Sequence, residues 1–234
     1  ANHAFELIDQ QIGELRQAAQ DAGILNTTTF VIVGDHGFVP VHTSINVNGL
    51  LAATGYGKVT TDGTFSSPGV IATPIGGAAA FYLEHPNDKK LAARIAASFR
   101  VEIQQRYAGL VEFVARDQLD LMGAFPGAVF ALAATEGYMF TAAPNATPLV
   151  PSGALKGMHG YLPSLPEMAT GFIMSGAGVR KGLRVPLVRM LDVAPTVAVL
   201  LGVELNGATG LPITGVLESR DPGPGLGLGI KPGN

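Results

Sequence analysis

The run Thr27-Thr28-Thr29-Phe30-Val31-Ile32-Val33-Gly34-Asp35-His36-Gly37 constrains this chain more than any other stretch. Its β-branched and aromatic residues predict a strand that stops at a carboxylate, an imidazole and a glycine. In an open α/β sheet, ligands collect outside the carboxyl ends of the strands, so two metal-competent side chains at that point read as a site. Neighbours on a strand point to opposite faces, and at a strand end that divergence lets Asp35 and His36 grip an ion from separate directions. A carboxylate oxygen and a neutral imidazole nitrogen suit zinc or a similar divalent transition ion. A capping Asp beside a packed His is the competing explanation of an isolated Asp-His-Gly, and three letters do not separate the two.

Around that strand, apolar periodicity alternates between helical and extended. Ile8, Ile12, Leu15, Ala19 and Ala22 step by four and three, predicting an amphipathic helix from Ala4 to Ala22 capped by Gly23. It is either a terminal helix docked on the sheet or part of a larger domain, since a domain rarely starts so abruptly. Phe38 to Asn48, with Pro40, His42 and two asparagines, reads as a loop flanking the site. A short helix over Gly49 to Ala53 follows, then a hairpin or surface excursion from Gly55 to Gly77. Ala78 to Leu83 is a predicted strand, and Asn87 or Asp88 caps a helix through Leu91, Ile95, Phe99 and Ile103. Val111 to Val114 and Ala128 to Ala133 are further strands, with a helical turn from Gln118 to Met122 between them. Pro144 to Gly153 reads as a loop and Phe172 to Ser175 as a buried strand. Asp192 is expected to cap a helix that tolerates Pro195 in its first turn and turns Val197, Leu200 and Leu201 inward. This alternation predicts α/β layers. The tail from Asp221 to Asn234, dominated by Gly and Pro, is expected to be extended or mobile.

Composition removes several function classes. The 234 residues are 47% apolar, ample for a buried core, and the net charge of -3 comes with no basic cluster to follow a nucleic-acid backbone. No apolar run reaches the roughly 18 to 20 residues of a membrane helix, and no charged-then-apolar leader opens the chain, so the sequence as written reads as soluble. Cysteine is absent, which excludes disulfides, thiolate ligands and a cysteine nucleophile. The first residue is Ala1 rather than Met, and an upstream piece is expected to have been removed.

A second histidine strengthens the metal reading. His159 stands in Lys156-Gly157-Met158-His159-Gly160-Tyr161, between glycines that permit close backbone approach. A lone loop histidine is nevertheless often structural or exposed. His42 is close enough to the strand end to support a ligand or face a substrate, or it is an exposed loop residue. His3 and His85 read as surface residues, Asp9 as solvated, and Glu167 and Asp192 as turn or cap residues. Lys156 and Arg180-Lys181 would attract an anionic substrate or simply be solvated. There is no Gly-x-Ser-x-Gly elbow, and no Gly-x-Gly-x-x-Gly follows the first strand; the Gly223 to Gly229 run lacks the flanking strand and helix.

Taken in order, Phe30-Val31-Ile32-Val33-Gly34-Asp35-His36-Gly37-Phe38, Lys156-Gly157-Met158-His159-Gly160-Tyr161-Leu162-Pro163 with Pro166-Glu167-Met168, and Asp192-Val193-Ala194-Pro195-Thr196 resemble the alkaline phosphatase superfamily. The closer likeness is to its type I phosphodiesterase/nucleotide pyrophosphatase branch. It runs from the first helix to Leu201-Gly202 and is weakest in the middle of the chain. The resemblance implies an α/β fold, an alkaline-phosphatase-like sheet with helices on both faces, incomplete at its N-terminal side. Residues 1–54 and 154–218 are then expected to form the core, 55–153 an inserted or decorating subdomain, and 219–234 a Gly/Pro-rich tail.

The same resemblance implies a hydrolase of phosphoric esters with two divalent ions, usually zinc, and a Thr or Ser that attacks phosphorus. Asp35 and His36 would bind the ion that activates this nucleophile, and His159 the ion that activates water. The family's other ligands, an early Asp and an Asp-x-x-x-His, and its nucleophile would precede Ala1. The chain is therefore expected to be the C-terminal part of a larger enzyme, carrying three of six ligands, and alone to bind metal weakly and catalyse poorly or not at all. The implied partner is a phosphate ester or nucleotide-like small molecule, not a nucleic-acid polymer, and family habit suggests the periplasm or the cell exterior. Phosphonoacetate hydrolase and cofactor-independent phosphoglycerate mutase chemistry use the same scaffold. A catalytically inactive α/β module kept for binding or assembly is the alternative of another class.

Overall fold

The structure, a computed structural model, describes residues 2–218. In chain order its elements are α1 (Asn2–Asp21), β1 (Thr29–Val33), β2 (Val39–Asn46), α2 (Val47–Ala53), β3 (Lys58–Val59), β4 (Phe65–Ser66), β5 (Val70–Pro74) and β6 (Ala78–Leu83). They continue with α3 (Lys89–Arg106), β7 (Val111–Ala115), α4 (Arg116–Met122), β8 (Phe130–Ala134), β9 (Gly137–Thr141), β10 (Leu149–Met158), β11 (Phe172–Gly176) and α5 (Met190–Leu201). Two compact units divide the chain, one made of residues up to 34 and from 171 onward, the other of residues 35–170. Residues 55–153 lie wholly within the second. The expected tail from 219 onward lies outside the described residues.

In the first unit β1 pairs antiparallel with β11, from Thr29 opposite Gly176 to Val33 opposite Phe172. β11 is not the buried strand expected: Phe172 and Met174 are half-buried while Ile173 is exposed, the period-2 pattern of a strand covered on one face. α1 forms where its periodicity predicts; on its apolar stripe Ile8 and Leu15 are 50% and 64% exposed, while Ile12 is half-buried and Ala19 buried. In α5 the expected cap is corrected. Arg189 is the N-cap residue, and Asp192 sits inside the first turn, where its carboxylate accepts from the Arg189 guanidinium at 2.9 and 2.6 Å and from the Leu211 N–H at 2.9 Å. That pairing with Arg189, and then the Leu211 N–H, hold the Asp192 carboxyl below the usual range. Pro195, Thr196 and Ala198 form the buried side; Leu201, the last helical residue before Gly202 turns the chain, faces water.

The second unit is built on a four-stranded antiparallel sheet in the order β5-β6-β8-β7. β6 and β7 both run antiparallel to β8 between them, so they are parallel to each other, and α3 supplies the crossover that such a pair requires. Alternation along β6 and β8 separates two apolar layers. Ala79, Phe81, Phe130 and Leu132 belong to the layer under Ile95, Phe99 and Ile103 of α3, while Ala80, Ala131 and Ala133 belong to the layer with Val114 and Leu119 of α4. Helices thus cover both faces of this sheet. Asp88 caps α3 by accepting from the Leu91 N–H at 2.8 Å, as the sequence predicts. Phe81, Phe99 and Phe130 meet at centroid separations of 4.7 to 5.1 Å and anchor the larger layer.

A second sheet, in the order β10-β2-β9, corrects two predicted loops. β2 occupies most of the expected loop from Phe38 to Asn48: Val39, Val41 and Ile45 are buried while Pro40 and His42 are exposed, a period-2 pattern masked by its proline, histidine and asparagine. β10 takes over the second half of the expected loop from Pro144 to Gly153, starting at Leu149, while residues 144–148 stay outside any strand; a register shift between Pro151 and Lys156 accommodates the residue that cannot donate to a ladder. β9 runs parallel to β2 on its other side. Asn46, fully buried, closes β2 by accepting from the N–H groups of Asn48 and Ala143 and donating to the Asn145 and Thr147 carbonyls. Its four partners account for the cost of burying an amide.

Candidate metal centre

The antiparallel pairing of β2 with β10 begins with Val39 opposite Met158, so the residues just before Val39 and just after Met158 leave the ladder at one end. Those residues are His36, Gly37 and Phe38 on one segment and His159 and Gly160 on the other. Two glycines let the segments close. The Gly37 N–H donates to the Met168 carbonyl at 3.0 Å, and a Cβ on Gly37 would lie 1.9 Å from the Glu167 carbonyl oxygen. Gly160 has a φ of +81°, and a Cβ there would lie 2.2 Å from the Ile75 carbonyl oxygen. The His159 carbonyl meanwhile accepts from the Gly77 N–H at 2.7 Å, tying this turn to the strand connection before β6.

The two histidines predicted as ligands therefore meet. The rings of His36 and His159 lie parallel, 4° apart in plane and 4.4 Å between centroids. Asp35 approaches the same ring: its Oδ2 is 3.4 Å from Nε2 of His36, and its Oδ1 accepts from the His36 backbone N–H at 3.0 Å. The other ring nitrogen, Nδ1, is 3.0 Å from the Gly37 carbonyl oxygen. A carbonyl only accepts, so this contact requires the proton on Nδ1 and leaves the lone pair on Nε2 in neutral His36. That is the tautomer a metal ligand needs, with its second nitrogen fixed by backbone. Asp35 and His159 are exposed and His36 is half-buried.

The donor chemistry fits a divalent ion, but the set is open. Among the described residues, no group of three or more His, Asp or Glu side chains converges as a metal cluster. His42 is not brought to Asp35, His36 or His159 by any contact among the described residues. It is exposed, with Nδ1 2.9 Å from the Thr43 hydroxyl and its ring edge-on to Tyr138 at 5.2 Å. His3 and His85 are exposed, as are Asp9 and Glu167, matching their expected surface and turn roles. Arg180 donates to the Gly215 carbonyl at 3.1 Å; the Lys156 side chain lies outside the described residues. Sequence reasoning missed Phe38, whose ring lies 5.1 Å from that of His36 and 5.9 Å from that of His159. Its place in the first motif is the only signal, and the contact depends on the β2 register.

Comparison with known proteins bears on the fold and the family. No curated protein matches the sequence. Among solved structures, human ectonucleotide pyrophosphatase/phosphodiesterase 5 is similar with a TM-score of 0.64 at 18% identity, over 91% of this chain and 51% of that one. The murine protein of the same name, as an inactive variant in complex with AMP, has a TM-score of 0.63 at 16% identity, over 90% of this chain and 51% of that one. These likenesses establish a shared fold of the alkaline-phosphatase type, and the chain spans about half the length of the solved structures it matches. The family model described as type I phosphodiesterase/nucleotide pyrophosphatase matches residues 1–162, a span that contains Asp35, His36 and His159. This chain belongs to the type I phosphodiesterase/nucleotide pyrophosphatase family.

Proposed function

We propose that this chain is the C-terminal portion of a metal-dependent hydrolase of phosphoric esters or diesters. In this reading Asp35 and His36 hold one divalent ion and His159 a second. The observation that carries it is the parallel pair of imidazoles, one with its Nε2 lone pair free beside a carboxylate. Ions in two-metal phosphoesterase sites sit roughly 3.5 to 4 Å apart, a spacing compatible with two parallel rings that each donate in their own plane. Such ions polarise phosphoryl oxygens and lower the pKa of bound water. This chain's residues contribute the ligand set and its orientation: the Gly37 carbonyl fixes the His36 tautomer, and the β2–β10 ladder holds the two ligand segments side by side. Zinc suits the mixed oxygen and nitrogen donors.

We assign the Thr or Ser nucleophile, which forms the phospho-enzyme, and the remaining ligands to residues upstream of Ala1 in a longer protein. The 51% coverage of the matched structures supports that assignment. AMP bound to a structural neighbour supports a nucleotide-like substrate. A catalytically inactive module of the same fold is the second reading, favoured by the lack of a closed donor cluster among the described residues.

Hydrolysis of an aryl phosphodiester by the intact gene product separates the two. The enzyme reading expects turnover that is abolished by a chelator and lowered about 10²- to 10³-fold by His36→Ala or His159→Ala. An intact product that hydrolyses neither mono- nor diesters with zinc supplied would establish the inactive module instead.

A further inference from the structure

Phe38 has a geometry that the ligand set alone does not explain. Its ring stands at 67° to that of His36 and at 70° to that of His159, with centroid separations of 5.1 and 5.9 Å. The imidazoles themselves are 4.4 Å apart. A ring placed on the end of this stack would lie a full stack spacing farther from the second imidazole than from the first. Phe38 is nearly equidistant, so it stands alongside the stack and crosses the edges of both rings. Such edge-to-face contacts are attractive and orient both partners. The ring lies beside β10 at Gly157, where a Cβ would make an ordinary contact 3.6 Å from Cδ1 of Phe38.

His159 depends on this contact more than His36 does. The His36 ring is fixed by the Gly37 carbonyl, whereas the His159 ring has no hydrogen-bond partner among the described residues and packs against the rings of His36 and Phe38. An exposed imidazole without a hydrogen bond turns about its side-chain torsions, and a ligand that turns must be immobilised when the ion binds. We propose that Phe38 is a positioning residue of the metal centre, holding the His36 and His159 rings parallel so that both present their ligating nitrogens in register. The proposal rests on the reading of Asp35, His36 and His159 as metal ligands.

The test is Co²⁺ titration of the intact gene product, following affinity and the visible absorption of the bound ion, with urea unfolding of each metal-free variant alongside. Phe38→Ala is expected to weaken Co²⁺ binding about 10- to 100-fold and to alter the absorption band while the unfolding midpoint stays near wild type. Phe38→Tyr keeps the flat ring and is expected to restore both affinity and band; Phe38→Leu keeps bulk without the ring and is expected to restore neither. Wild-type affinity and spectrum in Phe38→Ala would overturn the proposal, as would a Phe38→Tyr variant as weak as Phe38→Leu. Should Phe38→Ala fail to fold, the Tyr and Leu variants decide between these outcomes by themselves. A wild-type protein that takes up no Co²⁺ removes the ligand reading, and this inference with it, whereas normal uptake with indifferent Phe38 variants removes this inference alone.

Discussion

A single carbon added at residue 37 has no space, because it would land 1.9 Å from the Glu167 carbonyl oxygen. Gly37→Ala must therefore displace either the segment carrying His36 or the turn at Pro166–Met168. The expected cost is about 1–3 kcal/mol, the range of overpacked substitutions, read as a lower urea midpoint, with loss of metal affinity through the shifted His36. An unchanged midpoint would mean that this approach is looser in solution. Asp35, His36 and His159 stood out in the sequence as candidates because donor chemistry and flanking glycines are local features, and the structure brings the three side chains together. Phe38 did not, since nothing in its own neighbourhood says that His159, more than a hundred residues later, lies beside it. Asp192 failed for a related reason: a carboxylate near a helix start reads as a cap, and only the fold reveals Arg189 and Leu211 as its partners.

At the scale of elements, the register of β2 against β10 positions the centre, and Tyr161 braces the chain directly after it. The Tyr161 hydroxyl donates to the Tyr138 carbonyl of β9 at 2.6 Å, and its ring lies against Gly77, where a Cβ would come within 2.5 Å of three ring carbons. Burial, and secondarily the negative charge of Glu136, push this phenol from 10.0 up to about 12. The folded state thus holds the Tyr161 proton more tightly than the unfolded chain does. Its contribution to stability is complete below pH 10.0 and is lost as pH rises from there through about 12. Urea midpoints across that window are expected to fall less steeply in Tyr161→Phe than in wild type. Equal slopes would place the alkaline loss elsewhere, with Tyr107, also raised by burial, the first alternative. Elements with strong local signals, such as α3, β6, β7 and β8, were legible, whereas β2, β9 and β10 were not. Their strand character arises from pairing with one another; Pro40 and Asn46 in β2 and Pro151 in β10 gave those two the composition of loops, while the short β9 lies on the far side of β2 from β10.

Across the whole molecule, the family model and the shared fold agree in placing the chain among type I phosphodiesterases/nucleotide pyrophosphatases. The parallel imidazoles and their neighbouring carboxylate are proposed to hold divalent ions. Elemental analysis of the intact gene product, purified beside its His36→Ala and His159→Ala variants, tests this proposal most directly. Stoichiometric divalent metal is expected in the wild type and a reduced content in each variant. Equal metal in all three proteins, or none in the wild type after zinc is supplied, would contradict it.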